Sequence, residues 1–85
     1  MAIMKVQIIT PEEEVYSGEV DVLVAPGTEG QLGILPNHSP LMTALQQGTI
    51  RVTKNGSDQS WNVTGGFLEV LSNQVMILAE EITVD

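Results

Sequence analysis

The sequence predicts an all-β domain, an antiparallel sandwich or barrel, and three observations carry that expectation. Apolar residues recur at every second position along most of the chain, turn residues interrupt these runs at short intervals, and helical signals are weak. Side chains on a strand point to opposite faces in turn, so such alternation offers one face to a core and one to water.

The elements follow in order. Met4, Val6 and Ile8 alternate with Lys5 and Gln7. Val20, Val22 and Val24 alternate with Glu19 and Asp21, until Leu23 blurs the pattern. Leu41, Thr43 and Leu45 fit a strand; this reading is preferred to a short helix capped by Ser39, with Pro40 in its first turn and Gly48 ending it. Ile50 and Val52 alternate with Thr49, Arg51 and Thr53, and Trp61 and Val63 with Asn62 and Thr64. Asn55-Gly56 between them tolerates the positive φ of a type I′ turn, which predicts a hairpin joining strands near 49–54 and 60–64. Gly65-Gly66 permits a tight bend or bulge. The apolar run Val75-Met76-Ile77-Leu78-Ala79 reads as a strand buried on both faces, and Phe67-Leu68-Glu69-Val70-Leu71 is similar apart from its central charge. Ser72-Asn73 turns one into the other. Pro11, Pro26, Pro36 and Pro40 stand at the margins of apolar runs, where a missing ladder donor costs least.

Eighty-five residues are expected to form one domain, 1–85, around one modest core. With 42% hydrophobic and 16% charged residues the chain is globular, and the core must be aliphatic because Tyr16, Trp61 and Phe67 are the only rings. There is no cysteine, hence no disulfide and no thiolate ligand. The opening residues lack the pattern of a signal peptide, and no apolar run approaches the roughly 20 residues that span a bilayer. Membrane association is therefore expected through a protein partner, with no direct insertion. The net charge of −8 argues against nucleic acid, since Lys5, Arg51 and Lys54 cannot neutralise a row of phosphates. It suits a partner with exposed cations.

A search for reaction chemistry finds no active site and implies no cofactor or metal. His38 is the one histidine, and strand neighbours face opposite ways, so Ser39 is poorly placed for activation by it. Glu12-Glu13-Glu14 offers oxygen ligands for a hard cation, but consecutive residues rarely converge and a solvated turn is the simpler reading. Gly27, Gly30 and Gly33 lack the Gly-Lys-Ser/Thr ending of a phosphate cradle, and Glu29 would oppose a phosphate; they read as a loop that approaches something closely. Asn37, Asn55 and Asn62 begin glycosylation sequons without a secretory signal to give them meaning. A structural or binding role remains, with no small-molecule substrate.

The stretch Glu29-Gly30-Gln31-Leu32-Gly33-Ile34-Leu35-Pro36-Asn37-His38-Ser39-Pro40-Leu41-Met42-Thr43 resembles the signature of ATP synthase epsilon subunits. Other family-like features occur in order: Val6-Gln7-Ile8-Ile9-Thr10-Pro11 before Val15-Tyr16-Ser17-Gly18, then Gly48-Thr49-Ile50-Arg51-Val52, Gly65-Gly66-Phe67-Leu68-Glu69-Val70 and Val75-Met76-Ile77-Leu78-Ala79-Glu80. The resemblance implies a flattened antiparallel β-sandwich of about ten short strands in two sheets. It implies a non-catalytic rotor component of the central stalk, linking the gamma subunit to the membrane c-ring and coupling proton transport to ATP synthesis. The location implied is the cytoplasmic face of the bacterial plasma membrane, held there through the complex.

Carried over residue by residue, it suggests Glu29, Gly30, Gln31, Leu32 and Gly33 as c-ring contacts, and Thr10, His38, Met42 and Thr43 as contacts to gamma. Gln31 stands where the family often has a carboxylate, so an amide hydrogen bond replaces an ionic contribution there. Typical members continue into a C-terminal helical hairpin that senses ATP and inhibits hydrolysis; this sequence stops at Asp85 and is expected to lack those functions. The competing expectation is a free-standing sandwich binding a carbohydrate or other small ligand, which would need an apolar, aromatic-lined pocket.

Overall fold

The computed structural model describes residues 3–84, so the ends of the expected domain, Met1, Ala2 and Asp85, lie outside the described residues. Ten strands follow one another: β1 (Met4–Ile9), β2 (Glu14–Val20), β3 (Val22–Gly27), β4 (Gly30–Ile34), β5 (Leu41–Leu45), β6 (Gly48–Lys54), β7 (Ser57–Val63), β8 (Gly66–Leu71), β9 (Gln74–Ala79) and β10 (Ile82–Val84). The described residues hold no helix, and 41–45 is a strand as expected.

Two layers face each other. One runs β10-β7-β6-β3 with β4 on the far edge of β3, and the other runs β5-β8-β9-β1-β2. They are halves of one hydrogen-bonded sheet curled over on itself, since β3 reaches β5 through the single pair Gly27–Leu45. Two further bonds hold that corner: the Thr28 N–H donates to the Ala44 carbonyl at 3.1 Å and the Gln46 N–H to the Pro26 carbonyl at 2.8 Å. Pairing is antiparallel except between β1 and β9, which run parallel because the first strand enters beside the ninth, far from it in sequence.

Local chemistry explains the turns. Asn55 and Gly56 have φ of 52° and 81°, and Lys54 pairs with Ser57 across them, the geometry of a two-residue primed hairpin. Ser72 and Asn73 do the same at 51° and 60°, with Leu71 opposite Gln74. Where Val20 to Val24 read as one alternating run, the chain breaks at Asp21 and crosses between layers. Val20 ends β2 buried, and the parity then shifts so that Leu23 and Ala25 point inward while Val22 and Val24 are half-buried. Asp21 fixes this corner: its N–H donates to the Thr53 carbonyl at 2.8 Å, and its Oδ2 accepts from the Asn55 N–H at 2.9 Å.

The core is aliphatic. Ile8, Leu23, Ile34, Ile50, Leu68 and Ile77 are fully enclosed, each contributing about 1.5–3 kcal/mol on removal from water. Trp61 is buried with Tyr16 tilted against it, ring centroids 5.0 Å apart. No charged or polar side chain is buried among the described residues.

One expectation is overturned. β9 is not buried on both faces: Val75, Ile77 and Ala79 face the core, while Met76 and Leu78 are 38% and 49% exposed. β8 behaves likewise, with Leu68 and Val70 enclosed and Phe67 and Leu71 open to solvent. Five apolar residues in sequence need two apolar neighbourhoods, and this chain supplies one.

Candidate functional site

The outer faces of the two layers differ in kind. On the β6-β7 side, Thr49, Arg51, Thr53, Asp58, Ser60 and Asn62 point outward, opposite the buried Ile50, Val52, Trp61 and Val63. Thr49 Oγ1 donates to Asn62 Oδ1 at 2.9 Å and Thr53 Oγ1 to Asp58 Oδ1 at 2.7 Å. This is an ordinary hydrated sheet surface.

The outer face of β5, β8 and β9 is apolar. Register places Ala44, Phe67, Leu78 and Ile9 in one row across β5-β8-β9-β1, and Met42, Glu69, Met76 and Gln7 in the next. Leu71 continues the face beyond them. Met42 is 71% exposed, Phe67 57% and Leu71 55%, high values for large apolar side chains in a sheet. A contiguous exposed apolar surface of this sort marks a place for another macromolecule. At its Gly66 end the face dips into an open hollow of about 440 Å³ lined by Ile9, Thr10, Pro11, Phe67, Leu78 and Glu80. Trp61 is buried and Tyr16 half-buried, so Phe67 is the one ring this hollow has among the described residues.

The four residues suggested for gamma are not brought together. Met42 is on the apolar face. Its neighbour Thr43 points the other way, paired with the enclosed Leu68 and half-buried itself. Thr10 follows β1 at the hollow, where its Oγ1 accepts the N–H groups of Glu12 and Glu13 at 3.3 and 3.2 Å and so shapes the β1–β2 turn. His38 lies toward the opposite end of the layer, about 20 Å away at strand rise. There the Asn37 N–H donates to Asn73 Oδ1 at 2.6 Å and Asn73 Nδ2 donates to Asn37 Oδ1 at 3.2 Å, clasping the His38 loop to the β8–β9 turn. His38 Nδ1 donates to the Ser39 carbonyl at 2.7 Å, so its ring engages the Ser39 backbone.

The five residues suggested for the c-ring do form one feature. Thr28 and Glu29 turn β3 into β4, and Gly30, Gln31 and Gly33 are exposed along β4. Leu32 is half-buried against its own core. The segment read as a loop is therefore a strand, paired on one side with β3 while its other edge is open among the described residues. An unpaired edge offers backbone donors and acceptors to a partner. A Cβ on Gly33 would meet nothing within 4 Å, so that glycine is not required by local packing. Glu12, Glu13 and Glu14 are solvent-exposed, and no group of three His, Asp or Glu side chains among the described residues is close enough to hold a metal ion.

Comparison with known proteins identifies the architecture. The model of the ATP synthase, Delta/Epsilon chain, beta-sandwich domain matches residues 3–84. The chain belongs to that family. It is 51% identical over 75 residues to the ATP synthase epsilon chain of Pelotomaculum thermopropionicum, covering 88% of this chain and 56% of that one. It is 51% identical over 80 residues to the epsilon chain of Dehalococcoides mccartyi, covering 94% and 57%. The chain thus spans a little over half the length of these relatives. A chain in a cryo-EM structure of the Euglena gracilis mitochondrial ATP synthase has the same fold, with a TM-score of 0.92, 22% identity, and coverage of 99% of this chain and 54% of that one. The central stalk and c-ring of the Tetrahymena thermophila enzyme give a TM-score of 0.81 at 20% identity, covering 95% and 66%.

The sequence pointed to Met42 but missed Phe67, Leu71, Met76 and Leu78. The signal was present: runs apolar at every position. Such runs read as doubly buried strands, whereas one of their faces is left open.

Proposed function

We propose that this sandwich is a non-catalytic rotor part of an ATP synthase, with its apolar face covered by the gamma subunit and its β3–β4 hairpin meeting the c-ring. The observation that carries the reading is the concentration of exposed large apolar residues on one outer face, with Met42, Phe67, Leu71, Met76 and Leu78 on β5, β8 and β9 against Val84 on β10 of the other layer. Phe67, Leu71, Met76 and Leu78 favour a large apolar partner on one layer, and the other layer favours water. The hairpin supports the second contact, because exposed glycines and an open edge let a polar loop approach the backbone. Glu29 and Gln31 add polar contacts there; an exposed ion pair at Glu29 would contribute about 0.2–1 kcal/mol. Leu32 adds less than its size suggests, since it already packs on its own sandwich.

Transmission of torque needs a stiff body between two partners, and tightly turned strands closed around one core provide it. The protein would work at the cytoplasmic face of the bacterial plasma membrane, through the complex. No helix among the described residues is long and apolar enough to cross a membrane.

The test is assembly with recombinant gamma and with c-ring, followed by gel filtration. The wild-type chain is expected to comigrate with gamma at micromolar concentration. Gly33→Val should melt within about 3 °C of wild type, because its side chain enters open space, and should hold gamma while losing the ring. A folded wild-type chain that stays apart from gamma contradicts the reading. So does a Gly33→Val variant that assembles with the ring as well as wild type.

A further inference from the structure

One charge stands at the centre of the apolar face. Glu69 has Met42 and Met76 beside it on the neighbouring strands, with Phe67 and Leu71 two residues away on either side along β8. It is exposed and makes no hydrogen bond or ion pair with the described residues. The nearest cation on this face is Lys5, two strands away on β1 and one row off, opposite Gln74. Lys5, Gln7, Glu69, Leu71, Gln74 and Met76 share a shallow hollow of about 180 Å³.

A carboxylate here is harmless while the face is wet. Covering the face strips its water, and an unpaired buried carboxylate costs several kcal/mol. A charge placed centrally therefore either opposes docking or selects a partner that answers it. We infer that Glu69 is a specificity-determining residue of this face, and that the covering surface presents one Lys or Arg side chain into the hollow beside it. This rests on the reading that gamma covers the face, and it adds the chemistry by which a correctly registered surface is told from a merely apolar one. A guanidinium fits best: it can take both carboxylate oxygens, and Gln7 and Gln74 line the same hollow. The chain's net charge of −8 favours the same sign of partner.

The sign of one substitution decides it. Titration calorimetry with gamma should show Glu69→Gln binding at least about tenfold more weakly than wild type, and Glu69→Lys at least about a hundredfold more weakly. The salt dependence of binding should fall in Glu69→Gln. Lys5→Met should not weaken binding, since it removes a like charge from the hollow that the incoming cation enters. Tighter or equal binding by Glu69→Gln overturns the inference, because removing an unanswered charge helps a buried interface. A loss in Lys5→Met matching that in Glu69→Gln also overturns it, since the cation would then be the chain's own. Failure of wild type to bind gamma would bring down the parent reading as well, and so is distinguishable from these outcomes.

Discussion

Phe67→Asp is expected to leave the sandwich folded and, on the proposed function, to remove its binding to gamma. Phe67 begins the outward-facing set on β8, with Ala44 and Leu78 alongside, and none of its neighbours on this face is enclosed. Folding therefore loses little: about 1 kcal/mol at most for an acidic residue on an interior strand. Docking loses an aromatic anchor and gains a second charge in an apolar contact. Truncation of such anchors costs about 2–4 kcal/mol, so affinity for gamma should fall at least about thirtyfold. A thermal melt and a titration on the same sample separate the two effects. Wild-type affinity in a folded Phe67→Asp variant would mean that gamma binds elsewhere.

Gly66→Ala will do the opposite, damaging the fold itself. Gly66 begins β8 with φ of 151°, a conformation rare for any L residue, and it is paired with Leu45 on one side and Ala79 on the other. A Cβ there would overlap the Leu78 carbonyl oxygen and stand 3.0 Å from the Ala79 Cα. Both obstacles are backbone, so relief requires moving β9 away from β8. Conformational strain alone costs about 1–3 kcal/mol, and the displacement raises the total to about 3 kcal/mol or more. A domain of this size holds about 4–13 kcal/mol in all. The melting temperature should fall by about 12 °C or more, against almost no change for Gly33→Val. A Gly66→Ala variant melting within about 3 °C of wild type would show that the β8–β9 approach is not tight in solution.

The sequence made the strands and hairpins legible where local chemistry decides them. Asn55-Gly56 and Ser72-Asn73 adopt the positive φ their turns require, and Ile50, Val52, Trp61 and Val63 send alternate side chains inward. It was less legible where a long-range partner decides. β4 consists of Gly30, Gln31, Leu32, Gly33 and Ile34, few of them strand formers, and it is a strand because β3 lies beside it. Asp21 interrupts an apparently continuous run because Thr53 and Asn55, remote in sequence, take its hydrogen bonds. The site suffered from the same limit. Apolar character says that Met76 and Leu78 are to be covered, and does not say by which molecule. Met42 and Thr43, neighbours in a motif, face opposite sides of β5 because successive side chains of a strand alternate.

The proposed function requires gamma to cover the outer face of β5, β8 and β9. Methyl-labelled NMR of the chain with and without unlabelled gamma reads this directly. The methyl signals of Met42 and Met76 should shift or broaden on complex formation, while those of Thr49 and Thr53 on the hydrated layer keep their positions. Unchanged methionine signals in a saturated complex, with the threonines perturbed instead, would contradict it.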